Sequence, residues 1–273
     1  MLNPLSPTTC IVRGTHTRRG RSLFVSPETS ATRWLRYGRI RLDDGDAPVR
    51  VETGDRECAL VCLAGRATVA LANESWTLGR YDAVYVPRDA VVDVAANEGG
   101  CDLAELSAPV EGRYRPAFVS IASVKADPAL HFTTGGAGSQ RELHILVGKN
   151  VEAGRLMAGV TFSEPGHWTS WPPHEHAEML EEAYLYIDMP APAFGVQLVY
   201  TDPGNPEIAT IVREGDCVIM PQGYHPNVAA PGGRIGFLWF MAAHRERVDR
   251  QFGVVTVQPE FAAKGSGLEA SRK

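Results

Sequence analysis

Long apolar runs are missing from this 273-residue chain. No stretch approaches the ~18 apolar residues that a membrane-spanning helix needs, and the opening Met1-Leu2-Asn3-Pro4-Leu5-Ser6-Pro7 lacks the apolar core of a secretory signal. The expectation is a soluble, cytoplasmic protein with no membrane partner. A basic excess is missing too. Lys and Arg total 27 against 32 Asp and Glu, a formal charge of −5, so no nucleic-acid partner is expected. The five cysteines, Cys10, Cys58, Cys62, Cys101 and Cys217, are odd in number and follow no framework spacing, which fits a reducing compartment. Cys58 and Cys62 share one side of a Val/Leu/Ala-rich run. With no second pair to close a metal site, they read as small core residues. Helical periodicity is absent between Trp34 and Val110.

What is present is a succession of short apolar runs broken by Gly, Asp, Asn and Pro. Tyr37 to Leu42, Ala59 to Leu63, Ala67 to Leu71, Ala83 to Val86 and Val91 to Ala95 read as strands separated by turns. The texture returns in Leu156 to Phe162, Glu182 to Ile187, Val196 to Tyr200, Ala209 to Val212, Cys217 to Met220 and Gly236 to Met241. Such spacing predicts an all-β fold of barrel or sandwich type. Residues 1–30, with Arg13, Arg18, Arg19 and Arg21 among Thr, Gly and Ser, read as an irregular arm. Residues 264–273 read as a polar, frayed tail.

The two β-rich halves suggest an internal repeat, 31–125 and 126–263. Asp82-Ala83-Val84-Tyr85-Val86-Pro87 has the shape of Asp216-Cys217-Val218-Ile219-Met220-Pro221. Four residues beyond each proline stand Val91 and His225. The Gly-rich Thr133-Thr134-Gly135-Gly136-Ala137-Gly138-Ser139 precedes a strand rather than a helix. It therefore reads as a linker or a loop at a subunit contact, not as a phosphate loop.

The chemistry concentrates in Pro172-Pro173-His174-Glu175-His176 and Pro221-Gln222-Gly223-Tyr224-His225. Side chains alternate along an extended segment, so His174 and His176 point the same way. A carboxylate a few residues on and His225 from a distant strand would complete a cage for one divalent metal. Imidazoles suit Zn, Mn, Fe or Ni alike. For the carboxylate, alternation groups Glu182 with Tyr184 and Tyr186, which selects Glu182 and leaves Glu181 solvent-facing or beside the ligand shell. The first half has no such histidines, so the metal is expected in the second half alone. His131 and His144 read as satisfied structural residues; His167, just before the ligand segment, reads as a lesser candidate for the pocket mouth against an ordinary structural residue. Arg141 reads either as a surface residue or as a bidentate clamp for a substrate carboxylate.

Two β-rich halves with His-x-His, Glu and a later His resemble a bicupin, two tandem jelly-roll barrels. More narrowly, the segment from Gly135 to about Met241 resembles the 5-deoxy-glucuronate isomerase family of myo-inositol catabolism, related to the 5-keto-4-deoxyuronate isomerases. The residues carrying the resemblance are Gly138-Ser139-Gln140-Arg141, Trp168 to His176, Leu180 to Tyr186, Tyr200-Thr201-Asp202 and Pro221 to Pro226. It implies His174, His176, Glu182 and His225 as metal ligands, with Zn or Mn as the ion. It also implies Arg141, Tyr186 and Tyr200 at the substrate and conversion of 5-deoxy-glucuronate to 5-dehydro-2-deoxy-gluconate. Two departures from the family pattern bear on the substrate: a short loop between His176 and Glu182, and Ala177 where an acidic residue often stands.

In such a reaction a divalent ion polarises the substrate carbonyl and stabilises an enediolate. Glu181, Tyr184, Tyr186 or a metal-bound water could move the proton between carbons, and spacing does not choose among them. The rival functions are a 5-keto-4-deoxyuronate isomerase, an Fe²⁺ dioxygenase on the same cage, and a non-catalytic sugar-binding barrel. Exposed sheet edges predict a homo-oligomer.

Overall fold

The computed structural model describes residues 4–264. Nearly all regular structure in it is antiparallel strand. Among the described residues the α-helices are Pro7–Cys10 and Ile121–Ala126, and no helix is long and apolar enough to cross a membrane. The polar tail lies outside the described residues apart from Lys264.

One sheet runs in the order Gly20–Val25, Arg36–Leu42, Val91–Pro109, Arg56–Leu71, Ala83–Val86, Ala117–Val119. Val49–Glu52 and Glu74–Leu78 are added to its long strands. A second, seven-stranded sheet runs Ile11–Val12, Cys217–Met220, Leu180–Tyr186, Gly236–Ala243, Leu156–Ser163, Arg141–Val147, His131–Thr134. A smaller four-stranded sheet, Trp168–Thr169, Asn227–Ala229, Gly195–Val199, Ile208–Val212, belongs to the same half. Sheet membership therefore changes between Val119 and His131.

The two Asp-strand-Pro units have a matching strand register. Cys58 pairs with Val86, the residue before Pro87, and with Ser107 on its other side. Glu182 pairs with Met220, the residue before Pro221, and with Met241 on its other side. Cys58 thus occupies in the first half the place of Glu182 in the second. Its surroundings are Leu60, Cys62, Val84 and Val86, all buried in an apolar cluster. Val91 is 37% exposed at the start of its strand, whereas His225 is buried.

The halves are fastened by a reciprocal pair of buried carboxylates. Glu57, one residue before Cys58, accepts the backbone N–H groups of Gly154 (2.7 Å), Arg155 (2.6 Å) and Leu156 (2.7 Å), and the Tyr85 hydroxyl (2.6 Å). Glu181, one residue before Glu182, accepts the N–H groups of Arg33 (2.7 Å), Trp34 (2.7 Å) and Leu35. Each acidic residue satisfies the amides that lead into a strand of the opposite half.

Two sequence expectations change here. Residues 1–30 are not an irregular arm. They carry the Pro7–Cys10 helix, capped by Ser6, and the strands Ile11–Val12 and Gly20–Val25. Ile11–Val12 pairs with Cys217–Met220 in the second sheet, while Gly20–Val25 pairs with Arg36–Leu42 in the first. Partners so distant leave no local periodicity to read. The Gly-rich segment is a hairpin turn joining His131–Thr134 to Arg141–Val147, rather than a linker. Gly135 sits there at φ +96°, where a Cβ would collide with the Ser139 carbonyl.

Candidate metal centre

His174 lies on the short His174–Glu175 strand, which pairs with Thr256–Val257. A tight turn follows, in which the N–H groups of Met179 and Leu180 both donate to the His176 carbonyl at 2.9 Å. The turn sends the chain straight back into Leu180–Tyr186, bringing Glu182 to face His176. His225 hangs on the loop between Cys217–Met220 and Asn227–Ala229. Gly223 permits that loop because its φ is +89° and a Cβ would press on the Tyr200 carbonyl at 2.8 Å. The Gly223 N–H donates to Glu175 Oε2 (3.1 Å), which ties the two ligand-bearing loops together. Gly223→Ala is expected to displace His225 and lower bound metal and turnover roughly 10–100-fold, the usual range for groups that orient ligands. Metal content and rate on the purified variant check this.

The ring nitrogens are sorted by their partners. His174 Nδ1 is 2.9 Å from the Pro172 carbonyl, His225 Nδ1 2.9 Å from the Gly223 carbonyl and His176 Nδ1 3.4 Å from the Leu180 carbonyl. A carbonyl only accepts, so each Nδ1 donates there, which leaves each Nε2 aimed into the cluster. His176 Nε2 and His225 Nε2 then stand 2.8 Å and 3.1 Å from one oxygen of Glu182, and His225 Nε2 has no hydrogen-bond partner. Two imidazole nitrogens thus converge on one buried carboxylate oxygen at distances that a shared proton or a cation can bridge. The donor set fits a divalent metal.

His176, Glu182 and His225 bring one donor atom each within 4.8 Å of the others. His174 stands further out, its ring centroid 5.1 Å from that of His225 and 6.4 Å from that of His176. All four are buried. Burial raises the Glu182 pKa, but the close approach of His176, and then of His225, outweighs it and brings it to about 2. Burial, with His225 close by, lowers His174 to about 3, so its imidazole is neutral and able to ligate.

A cavity of about 50 Å³ opens beside the cluster, with Arg141, Thr161, Ser170, His174, Glu182 and Tyr184 in its wall. Arg141 is 3% exposed, so the surface reading of it fails. It reaches the cavity because Arg141 and Leu143 share one face of their strand. The Tyr184 hydroxyl is 2.7 Å from Ser170 Oγ, and its ring centroid lies 5.9 Å from that of His225.

The structure does not bring every sequence candidate here. Glu181 is buried rather than solvent-facing and is held by the amides of residues 33–35. The Tyr186 hydroxyl donates to Gln197 and receives the Asn227 side-chain amide (3.2 Å) under the smaller sheet. Tyr200 donates to Gln258 Oε1 at 2.7 Å. None of these three lines the cavity. Ser170 and Thr161 do, and sequence reasoning missed them; Ser170 stands inside the Trp168 to His176 stretch, so position alone could have raised it. His167 is engaged by the Gln140 N–H (3.1 Å).

The KduI/IolB family profile matches residues 10–257. The chain belongs to that family. This KduI/IolB chain is 32% identical over 235 residues, 80% of its length and 83% of the relative's, to the 5-deoxy-glucuronate isomerase of Geobacillus thermodenitrificans (strain NG80-2). Its fold matches an IolB-like protein from Salmonella typhimurium LT2 with TM-score 0.79 at 24% identity, over 93% of this chain and 98% of that one. A cupin 2 conserved barrel domain protein from Leptotrichia buccalis matches with TM-score 0.51 at 15% identity, over 85% and 88% of the two chains. The KduI/IolB chain therefore has a cupin-type all-β fold.

Proposed function

We propose that the chain is a metal-dependent sugar-acid isomerase, converting 5-deoxy-glucuronate to 5-dehydro-2-deoxy-gluconate in the cytoplasm, with Zn²⁺ or Mn²⁺ bound in the second repeat. The convergence of one buried donor atom each from His176, Glu182 and His225 within 4.8 Å carries the metal reading. The substrate comes from the isomerase of Geobacillus thermodenitrificans, which the chain matches over four-fifths of its length.

His176, Glu182 and His225 would hold the ion, with His174 as a fourth ligand after a small inward shift. A bound ion supplies Lewis-acid polarisation of the substrate carbonyl. The reaction is redox-neutral: a C–H proton passes from the hydroxyl-bearing carbon to the neighbouring aldehyde carbon, and the O–H proton is exchanged between the two oxygens. Arg141 binds the substrate carboxylate from the cavity wall. Of the three proton-transfer candidates Tyr184 lines the cavity, and its hydroxyl carries the proton at substrate oxygen. Burial raises its pKa well above the ordinary phenol value, so it works as a donor rather than as a phenolate base. A 50 Å³ cavity takes an ion and one or two waters, so the body of an open-chain sugar acid extends through the mouth.

A homo-oligomer forms in this reading by addition at the Gly20–Val25 edge of the first sheet, where Leu23 is 58% exposed.

Incubation of metal-loaded protein with 5-deoxy-glucuronate, with the ketose followed by NMR, tests the activity. No ketose formation, or oxygen consumption dependent on Fe²⁺, would overturn it. Arg141→Lys is expected to raise KM by roughly 10-fold or more with a smaller change in kcat, because an ammonium cannot reproduce the bidentate contact. Steady-state kinetics on that variant decide whether Arg141 meets the substrate.

A further inference from the structure

A second group of ligating side chains lies on the opposite face of the same sheet. His131 pairs directly with His144 across the His131–Thr134 and Arg141–Val147 strands, and Thr133 pairs with Glu142. Strand alternation puts Glu142 and His144 on one face and Arg141 and Leu143 on the other, and the latter two line the cavity described above. The two groups are therefore separated by the sheet.

The second group has the donor arrangement of the first. His131 Nδ1 is 3.3 Å from the Lys125 carbonyl, which leaves Nε2 aimed at Glu142. That Nε2 is 2.6 Å from Glu142 Oε1. His144 Nε2 is 3.5 Å from the same oxygen. The His131 and His144 rings are stacked at 4.4 Å. His144 is 3% exposed and neither of its ring nitrogens has a hydrogen-bond partner. An imidazole that deeply buried loses several hydrogen-bonding opportunities to no visible gain. Its other contacts are the backbone of Val160 on the neighbouring strand, the edge of Phe162, 6.2 Å between centroids, and the long-range charge of Lys125.

We propose that His131, Glu142 and His144 form a second divalent-metal site, for Zn²⁺ or a similar borderline ion, independent of the His176–Glu182–His225 centre. All three donors already lie within 4.8 Å of one another. Tetrahedral ligation at ~2.1 Å separates donors by about 3.4 Å. The His144–Glu142 spacing of 3.5 Å meets this as it stands. The His131–Glu142 spacing opens by under ~1 Å, which the Glu142 side chain, 45% exposed, can supply by rotation. Two neutral imidazoles and a carboxylate leave a fourth position for water. Because His131–Thr134 is the outer strand of the seven-stranded sheet, an ion there clips that strand to its neighbour.

Chelator-stripped full-length protein, reloaded with Zn²⁺ and desalted, is analysed for metal per chain. Wild type is expected to hold two ions. Glu142→Gln and His131→Asn, both at partly exposed positions that avoid disturbing the core, are expected to hold one and to keep wild-type turnover. His176→Ala is expected to hold one, and His176→Ala combined with Glu142→Gln none. Equal zinc in wild type and Glu142→Gln, or no zinc at all in His176→Ala, overturns the proposal. Failure of the first centre reads differently: His176→Ala would then match wild type while Glu142→Gln still lost an ion.

Discussion

His176→Ala is expected to lose turnover of 5-deoxy-glucuronate by on the order of 10³-fold or more, together with the ion held by the His176–Glu182–His225 cluster. Lewis-acid stabilisation of a developing alkoxide is worth several kcal/mol, and each 1.36 kcal/mol is a factor of ten. The variant also leaves Glu182 buried beside a void with one of its two imidazoles gone. Rate and metal content measured on one preparation separate loss of chemistry from loss of fold, since circular dichroism should be unchanged. Turnover near the wild-type rate in a variant lacking that ion would end the metal-dependent reading.

Glu57→Ala and Glu181→Ala are expected to produce the largest losses of stability, each about 3–5 kcal/mol, while leaving the ligand cluster chemically intact. Each substitution strands three backbone N–H groups that are buried or part-buried, and an unsatisfied buried donor costs about 1–3 kcal/mol. Glu57 carries a fourth contact, the Tyr85 hydroxyl, so its loss should be the larger of the two. Denaturant unfolding followed by tryptophan fluorescence measures both. Similar midpoints for the variants and wild type would mean that the amides find other partners and that these carboxylates do not fasten the halves.

The residues that hold the candidate centre were legible because their logic is local. His-x-His in an extended segment, a turn, and a strand alternating Glu182, Tyr184 and Tyr186 all follow from a period of two. The register equivalence of Val86 and Met220 was foreshadowed by the two Asp-strand-Pro units. What stayed hidden depends on partners far along the chain. Nothing around Glu181 announces that its carboxylate is taken by amides 146 to 148 residues away. Tyr186 sits on the face that alternation assigns to it, yet the smaller sheet covers it through Gln197 and Asn227, and neither is a neighbour in sequence. Arg141 carries no local mark of its burial. The His131 and His144 pairing depends on a hairpin register that a Gly-rich turn does not specify, so the unpartnered state of His144 is visible only in three dimensions.

The strand Ile11–Val12 has a consequence for how the molecule is made. Its register partner is Val218 and Cys217, and Arg13 meets Asp216 203 residues further on. On the ribosome this first strand emerges long before its seat exists. The earlier sheet can assemble while the second half is still being synthesised, but the outer edge beside Cys217–Met220 stays open until nearly the whole polypeptide is out. Closure over so wide a separation is slow compared with local pairing. A late folding event should therefore be the docking of Ile11–Val12 onto Cys217–Met220. A chain shortened to start at Gly14 should fold with an unsealed strand and aggregate more readily than the intact one.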